Sequence, residues 1–133
     1  MLTSLRIFDT TTASIGKPEN SFTVLVTGEK ITVRELIHLR IFQEIADYNL
    51  KQPAVFKMLI QPSEAERVLN GYMFHKPRNV DPQAQFEKAI AAFESNGFIV
   101  LVDDQQINSL DDEIALRPDT SVTFLKLVPL VGG

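Results

Sequence analysis

The hydrophobic period of the chain changes at Thr32, and that change constrains the fold more than any other feature of the sequence. Upstream, Leu5-Arg6-Ile7-Phe8 and Phe22-Thr23-Val24-Leu25-Val26 are short runs rich in β-branched and aromatic residues. A polar segment containing Gly16, Pro18 and Asn20 separates them, which predicts two strands of a hairpin with a long connection. The second strand is expected to run on towards Ile31 through Gly28-Glu29-Lys30, with Gly28 marking a bulge or tight bend. At Thr32-Val33-Arg34-Glu35 the pattern becomes helical. The threonine hydroxyl can accept from the Glu35 amide while the glutamate reaches back to the Thr32 amide, a capping box. Val33, Leu36, Ile37, Ile41, Phe42 and Ile45 then recur at helical spacing, predicting one buried stripe on a helix that ends near Tyr48 or Asn49.

The middle third is less regular. Ala54 to Ile60 is an apolar run interrupted by Lys57, compatible by period with either a buried strand or a helical turn. Ser63 and Glu66 have the spacing of a second capping box, predicting a short helix that Gly71 would terminate. Tyr72 to Val80 reads as a loop. Asp81-Pro82 then supplies an N-cap and a proline at the first helical position, and Phe86, Ala89, Ile90 and Phe93 form an apolar stripe that Asn96-Gly97 stops.

The last third returns to strands. Phe98 to Val102 is apolar without alternation and predicts a central strand. Asp103-Asp104-Gln105 reads as a turn and Gln106-Ile107 as a short returning strand. Leu110, Ile114 and Leu116 anchor an acidic connector, and Arg117-Pro118-Asp119-Thr120 is a second turn. The final strand is expected over Ser121 to Val128, where Pro129 breaks the ladder.

Composition excludes several function classes. The chain has 133 residues, no cysteine, and 13 basic against 17 acidic residues for a net charge of -4. The missing thiols remove disulfides, thiolate metal sites and a cysteine nucleophile. An acidic balance without a Lys/Arg cluster argues against nucleic-acid binding. The apolar runs fall far short of the ~20 residues of a membrane-spanning helix, and the N-terminus lacks the pattern of a secretion signal. A cytoplasmic location without membrane or nucleic-acid partners is the expectation.

The expected order is strand, strand, capped helix, inserted helices, strand, strand, connector, strand. An α+β fold with a mixed sheet around one main helix satisfies it, the arrangement called the β-grasp. The last residues, Val122-Thr123-Phe124-Leu125-Lys126-Leu127-Val128-Pro129-Leu130-Val131-Gly132-Gly133, resemble the ubiquitin-like family, most closely its prokaryotic sulfur carriers and bacterial ubiquitin-like modifiers. The similarity extends to Phe98–Val102, Asp103-Asp104, Ile107, Leu110, Leu116–Thr120, and the strand, strand and helix of the N-terminal part. It implies a ubiquitin-like β-grasp domain over residues 1–128, with a helical insertion at about 53–96 that has no counterpart in compact family members. Residues 129–133 would form a flexible tail.

What the resemblance implies about function centres on that tail. Gly133 would be the conjugation site, with Gly132 beside it, because glycine threads a narrow channel without side-chain clashes. Pro129, Leu130 and Val131 would dock on an activating enzyme. That enzyme would use ATP and magnesium to adenylate the Gly133 carboxylate, pass it on as a thioester to a conjugating-type enzyme, and deliver it to a lysine of a target protein. A deconjugating metalloprotease is a possible further partner. The chain itself would be a substrate, with no catalytic residue, bound cofactor or metal of its own. Two alternatives accompany this reading: a sulfur carrier whose Gly133 becomes a thiocarboxylate for cofactor or tRNA thiolation, and a non-conjugated interaction scaffold. Eukaryotic ubiquitin has arginines ahead of its glycines where this chain has Pro129, Leu130 and Val131, which implies a cognate prokaryotic enzyme. His38 and His75 are expected to be structural or solvated. Asp103, Asp104, Asp111, Asp112 and Glu113 lack a metal-loop pattern, and His75, Lys76 and Arg78 form a small basic loop.

Overall fold

A computed structural model describes residues 2–13 and 20–127. Its elements, in chain order, are β1 (Leu2–Thr11), β2 (Asn20–Thr27), β3 (Lys30–Thr32), α1 (Val33–Lys51), β4 (Glu66–Val68), β5 (Gly71–Met73), α2 (Pro82–Glu94), β6 (Phe98–Val102), β7 (Gln105–Ile107), β8 (Glu113–Ala115) and β9 (Ser121–Lys126). The fold is α+β. Two compact units divide the chain, Met1–Glu35 with Ala92–Gly133 and Leu36–Ala91.

The first unit holds a five-stranded mixed sheet in the order β2-β1-β9-β6-β7. β1 pairs antiparallel with β2 and parallel with β9, from Arg6 beside Ser121 to Thr11 beside Lys126. Alternation decides which side chains go inside: Leu5, Ile7, Val24, Val26, Val100, Val122 and Phe124 are buried on one face, whereas Ser4, Arg6, Thr23 and Leu25 are exposed. Phe98 joins this core, its ring centroid 5.9 Å from both Phe93 and Phe124. The expectation of a central Phe98–Val102 strand is corrected by one place. β6 has neighbours on both sides but stands fourth, and the middle position belongs to β9.

The expected extension of β2 to Ile31 is also corrected. Gly28, at φ +97, turns the chain out of the sheet, and Lys30–Thr32 forms a separate two-stranded sheet with β8. Ile31 and Ile114 are paired in register there and both are buried, so the acidic connector contains a strand. Its sequence hides the strand because it is three residues long, too short to display a period.

The capping box forms as its sequence predicts. The Glu35 amide donates to Thr32 Oγ1 at 3.1 Å, and the Thr32 amide donates to Glu35 Oε1 at 3.3 Å. Leu36, Ile37, Ile41 and Ile45 are buried, and the helix runs on to Lys51, where Gln52 at φ 41 ends it ahead of Pro53.

The second unit corrects the expected helical insertion. Among its described residues α2 is helical, but the predicted helix from Ser63 to Gly71 is a β4–β5 hairpin instead. Two observations explain the difference. Glu64 sits at φ 68, which a right-handed helix excludes, and Tyr72 exchanges backbone hydrogen bonds of 2.7 and 3.0 Å with Phe56. A Cβ on Gly71 would lie 2.2 Å from the Phe56 carbonyl oxygen, so glycine permits this approach and is not a helix stop. The open segment Ala54 to Ile60 is neither strand nor helix apart from that bridge. The rings of Tyr48, Phe56, Tyr72 and Phe74 pack around it at tilted angles, with Tyr48 and Phe56 centroids 4.5 Å apart.

Thr32→Ala is expected to lower stability by about 1 kcal/mol through loss of the cap. Ser63→Ala, which removes only an exposed contact to Lys88, should stay within about 0.5 kcal/mol of the parent. Denaturant titration of both variants checks the contrast. Burial of Tyr48 raises its pKa above the ordinary 10.0. A raised folded-state value means that this phenol's contribution is complete below that pH and is lost as pH climbs through the folded pKa. The unfolding midpoint should therefore fall on the alkaline side of pH 10, with a shallower fall in Tyr48→Phe.

Candidate functional site

The expected conjugation residues Gly132 and Gly133, and the expected docking residues Pro129, Leu130 and Val131, lie outside the described residues, as does Val128. What is described is the root from which they follow. β9 ends at Lys126, whose position is flanked by Thr11 on one side and Phe98 on the other. The Lys126 carbonyl accepts from the Thr12 amide at 3.0 Å, and the Leu127 amide donates to the Gly97 carbonyl at 3.4 Å. Leu127 itself is exposed. Among the described residues the last strand closes at Lys126, in the middle strand of the sheet.

Gly97 belongs to the turn that ends α2. Its amide donates to the Ala92 carbonyl at 2.7 Å and the Asn96 amide to the Phe93 carbonyl at 3.2 Å, the two bonds of a Schellman motif. The predicted stop at Asn96-Gly97 is present, with the left-handed conformation at Asn96, φ 62, and not at the glycine. This fixes Gly97 beside β6, where its carbonyl receives Leu127. Asp81 caps the other end of the helix, its Oδ1 accepting from the Gln83 amide at 3.0 Å.

The acidic residues singled out in the sequence are engaged in local structure. Asp103 and Asp104, at φ 49 and 69, form the two-residue turn between β6 and β7, the backbone that type I′ hairpins require. Asp103 Oδ1 also accepts from the Ser121 amide at 3.0 Å, tying this turn to the start of β9. Asp111 faces Arg34 at 3.6 Å, Glu113 faces Lys30 at 3.0 Å, and Asp112 accepts from the Ser109 amide. Among the described residues no group of three or more His, Asp or Glu side chains could hold a metal ion. No helix among them is long and apolar enough to cross a membrane.

In the second unit His38 stacks on Phe42 at 4.1 Å and meets Phe86 edge-on at 4.9 Å. The basic loop is balanced by acids: His75 Nε2 lies 2.6 Å from Glu66, and Arg78 pairs with Glu64 and covers the Phe74 ring. Sequence reasoning missed the polar residues that hold the irregular segments. Asn49 donates to the Val80 carbonyl at 2.9 Å and accepts from the Val80 amide at 2.7 Å. Gln85, buried, donates to the Ile60 carbonyl, and Glu44 accepts from the Leu59 amide while pairing with the buried Arg40 at 3.2 Å. Each is a polar side chain within a helix at a position that the apolar stripe leaves unassigned, which is the one signal available.

The left-handed residue at the tail root gives a direct check. Asn96→Val places a β-branched side chain in a conformation that costs about 1–2 kcal/mol, and chemical unfolding should report that loss. Asn96→Gly should leave stability unchanged or slightly raised. Comparison with protein-family models, with curated proteins and with solved structures returned no match for this chain.

Proposed function

We propose that the chain is a ubiquitin-like protein with a β-grasp fold, serving as a protein modifier that is conjugated through Gly133. The observation that carries the reading is Gly132-Gly133 following a strand, β9, that occupies the middle of a mixed sheet. A strand paired on both sides is a rigid base. The backbone bonds at Thr12, Lys126, Gly97 and Leu127 hold the point of departure, so whatever follows Leu127 is presented from a fixed place.

The chemistry begins with a carboxylate, which is a poor electrophile until one oxygen becomes a leaving group. In the proposed sequence a Gly133 carboxylate oxygen attacks the α-phosphorus of ATP on an activating enzyme, expelling pyrophosphate and forming the acyl-adenylate. A partner's cysteine thiolate then displaces AMP to give a thioester. A lysine amine of the target finally displaces the thiol, losing a proton as the isopeptide forms. Every catalytic group in these steps belongs to a partner, and the cysteine-free composition of the chain is consistent with that division. The insertion at about residues 53–96, which holds the β4–β5 hairpin and α2, favours conjugation over sulfur transfer, because it adds surface that a conjugation partner can recognise and a sulfur donor does not need.

Incubation of the purified chain with ATP, magnesium and extract of its source cells, followed by intact-mass and peptide mass spectrometry of the C-terminus, tests the proposal. Gly133 joined to a lysine nitrogen, dependent on ATP, is the expected product. Replacement of one carboxyl oxygen by sulfur would overturn conjugation in favour of sulfur transfer, and an unmodified C-terminus without ATP turnover would overturn both. Gly133→Val should abolish product formation while changing stability by less than about 0.5 kcal/mol.

A further inference from the structure

The two edges of the five-stranded sheet are built differently. At one edge, β7 has three residues and follows directly on Asp103 and Asp104, so shortness and charge protect it from pairing with another chain. At the other, β2 is eight residues long, Asn20-Ser21-Phe22-Thr23-Val24-Leu25-Val26-Thr27, without a charged residue or a proline. Among the described residues it has β1 on one side and no strand on the other. Leu25 is 64% exposed on it. In a chain with 30 Lys, Arg, Asp and Glu residues in 133, by adding 13 and 17, an eight-residue edge strand with none of these lacks the usual deterrents.

We infer that β2 is a self-association edge, at which a second copy of this chain adds its own β2 in antiparallel pairing about a two-fold axis through Val24. The strand's own pattern selects this occupant. An antiparallel two-fold that keeps the inner faces together must pair residues of like parity, because alternate side chains face opposite ways. Centred on Val24, it sets Val24 against Val24, Phe22 against Val26 and Thr23 against Leu25. Phe22, Val24 and Val26 then each meet a β-branched or aromatic partner, the pairs that stabilise sheets most. Charge allows the approach as well: each copy carries a net charge of -4, but none of it lies on the strand that meets its mate. A single strand pair is a small interface, so the association is weak and reversible.

Analytical ultracentrifugation from low micromolar to millimolar concentration tests the inference on the full chain. The expected result is a weight-average mass that climbs from 14.9 kDa towards twice that value. Thr23→Lys with Leu25→Lys, both on the exposed face, should hold the mass at the monomer value throughout, with circular dichroism unchanged. A parent chain that stays monomeric, or a folded lysine variant that associates as the parent does, would overturn it. The absence of cysteine offers a second measurement. Thr23→Cys combined with Leu25→Cys should yield a disulfide-linked dimer under mild oxidation, and failure to cross-link, or equal cross-linking by Thr23→Cys alone, would overturn the Val24-centred pairing.

Discussion

The parallel pairing of β1 with β9 is the constraint on which the first unit depends. Parallel neighbours cannot be joined by a tight turn, so the chain between them must leave the sheet and return in the same direction. Here the intervening chain supplies β2, β6 and β7 of the same sheet as well as the two helices, and its return places the last strand between the two hairpins, β1–β2 and β6–β7. Without β9 the sheet would be two separate pairs. With it, one continuous apolar face runs from Val24 through Ile7, Val122 and Val100.

Most of this was legible where one period holds over enough residues. The run of β-branched and aromatic residues in Phe22–Val26 and the helical recurrence of Val33, Leu36, Ile37, Ile41 and Ile45 each identify an element, and the side-chain chemistry of Thr32, Glu35 and Asp81 identifies starts. The reading failed where three residues decide. β3, β4, β5 and β8 are each that short, and nothing local separates Glu66-Arg67-Val68 from a helical turn. There the tertiary bond between Tyr72 and Phe56 overrides an attractive capping pattern, and the spacing of Ser63 and Glu66 is coincidental. Of the candidate site, the sequence named Gly132 and Gly133 and the stop at Asn96-Gly97, but could not reveal that the Gly97 carbonyl receives the Leu127 amide. That contact joins residues thirty positions apart, beyond the reach of any local pattern.

The second unit is organised on a different principle. From Gln52 to Ala65 its backbone makes few regular bonds, and side chains of the helices supply partners: Glu44 for Leu59, Gln85 for Ile60, and Asn49 for Val80 outside that segment. A buried backbone group without a partner costs more than a hydrogen bond gains, so these polar residues are as much a part of the interior as the aromatic cluster of Tyr48, Phe56 and Phe74. The buried Arg40 beside Glu44 follows the same logic. Such an ion pair adds little net stability, but removing one member leaves a charge without its counter-ion.

The central place of β9 also has a consequence in time. Hairpins β1–β2 and β6–β7 join strands close in sequence and can form as soon as their residues are available, whereas β9 must find partners far behind it. During synthesis, which proceeds from the N-terminus, both hairpins leave the ribosome before the strand that unites them. The sheet is thus completed by the last of its five strands to be made, and until Lys126 has emerged the inner faces of both hairpins lack the neighbour that closes them into one surface.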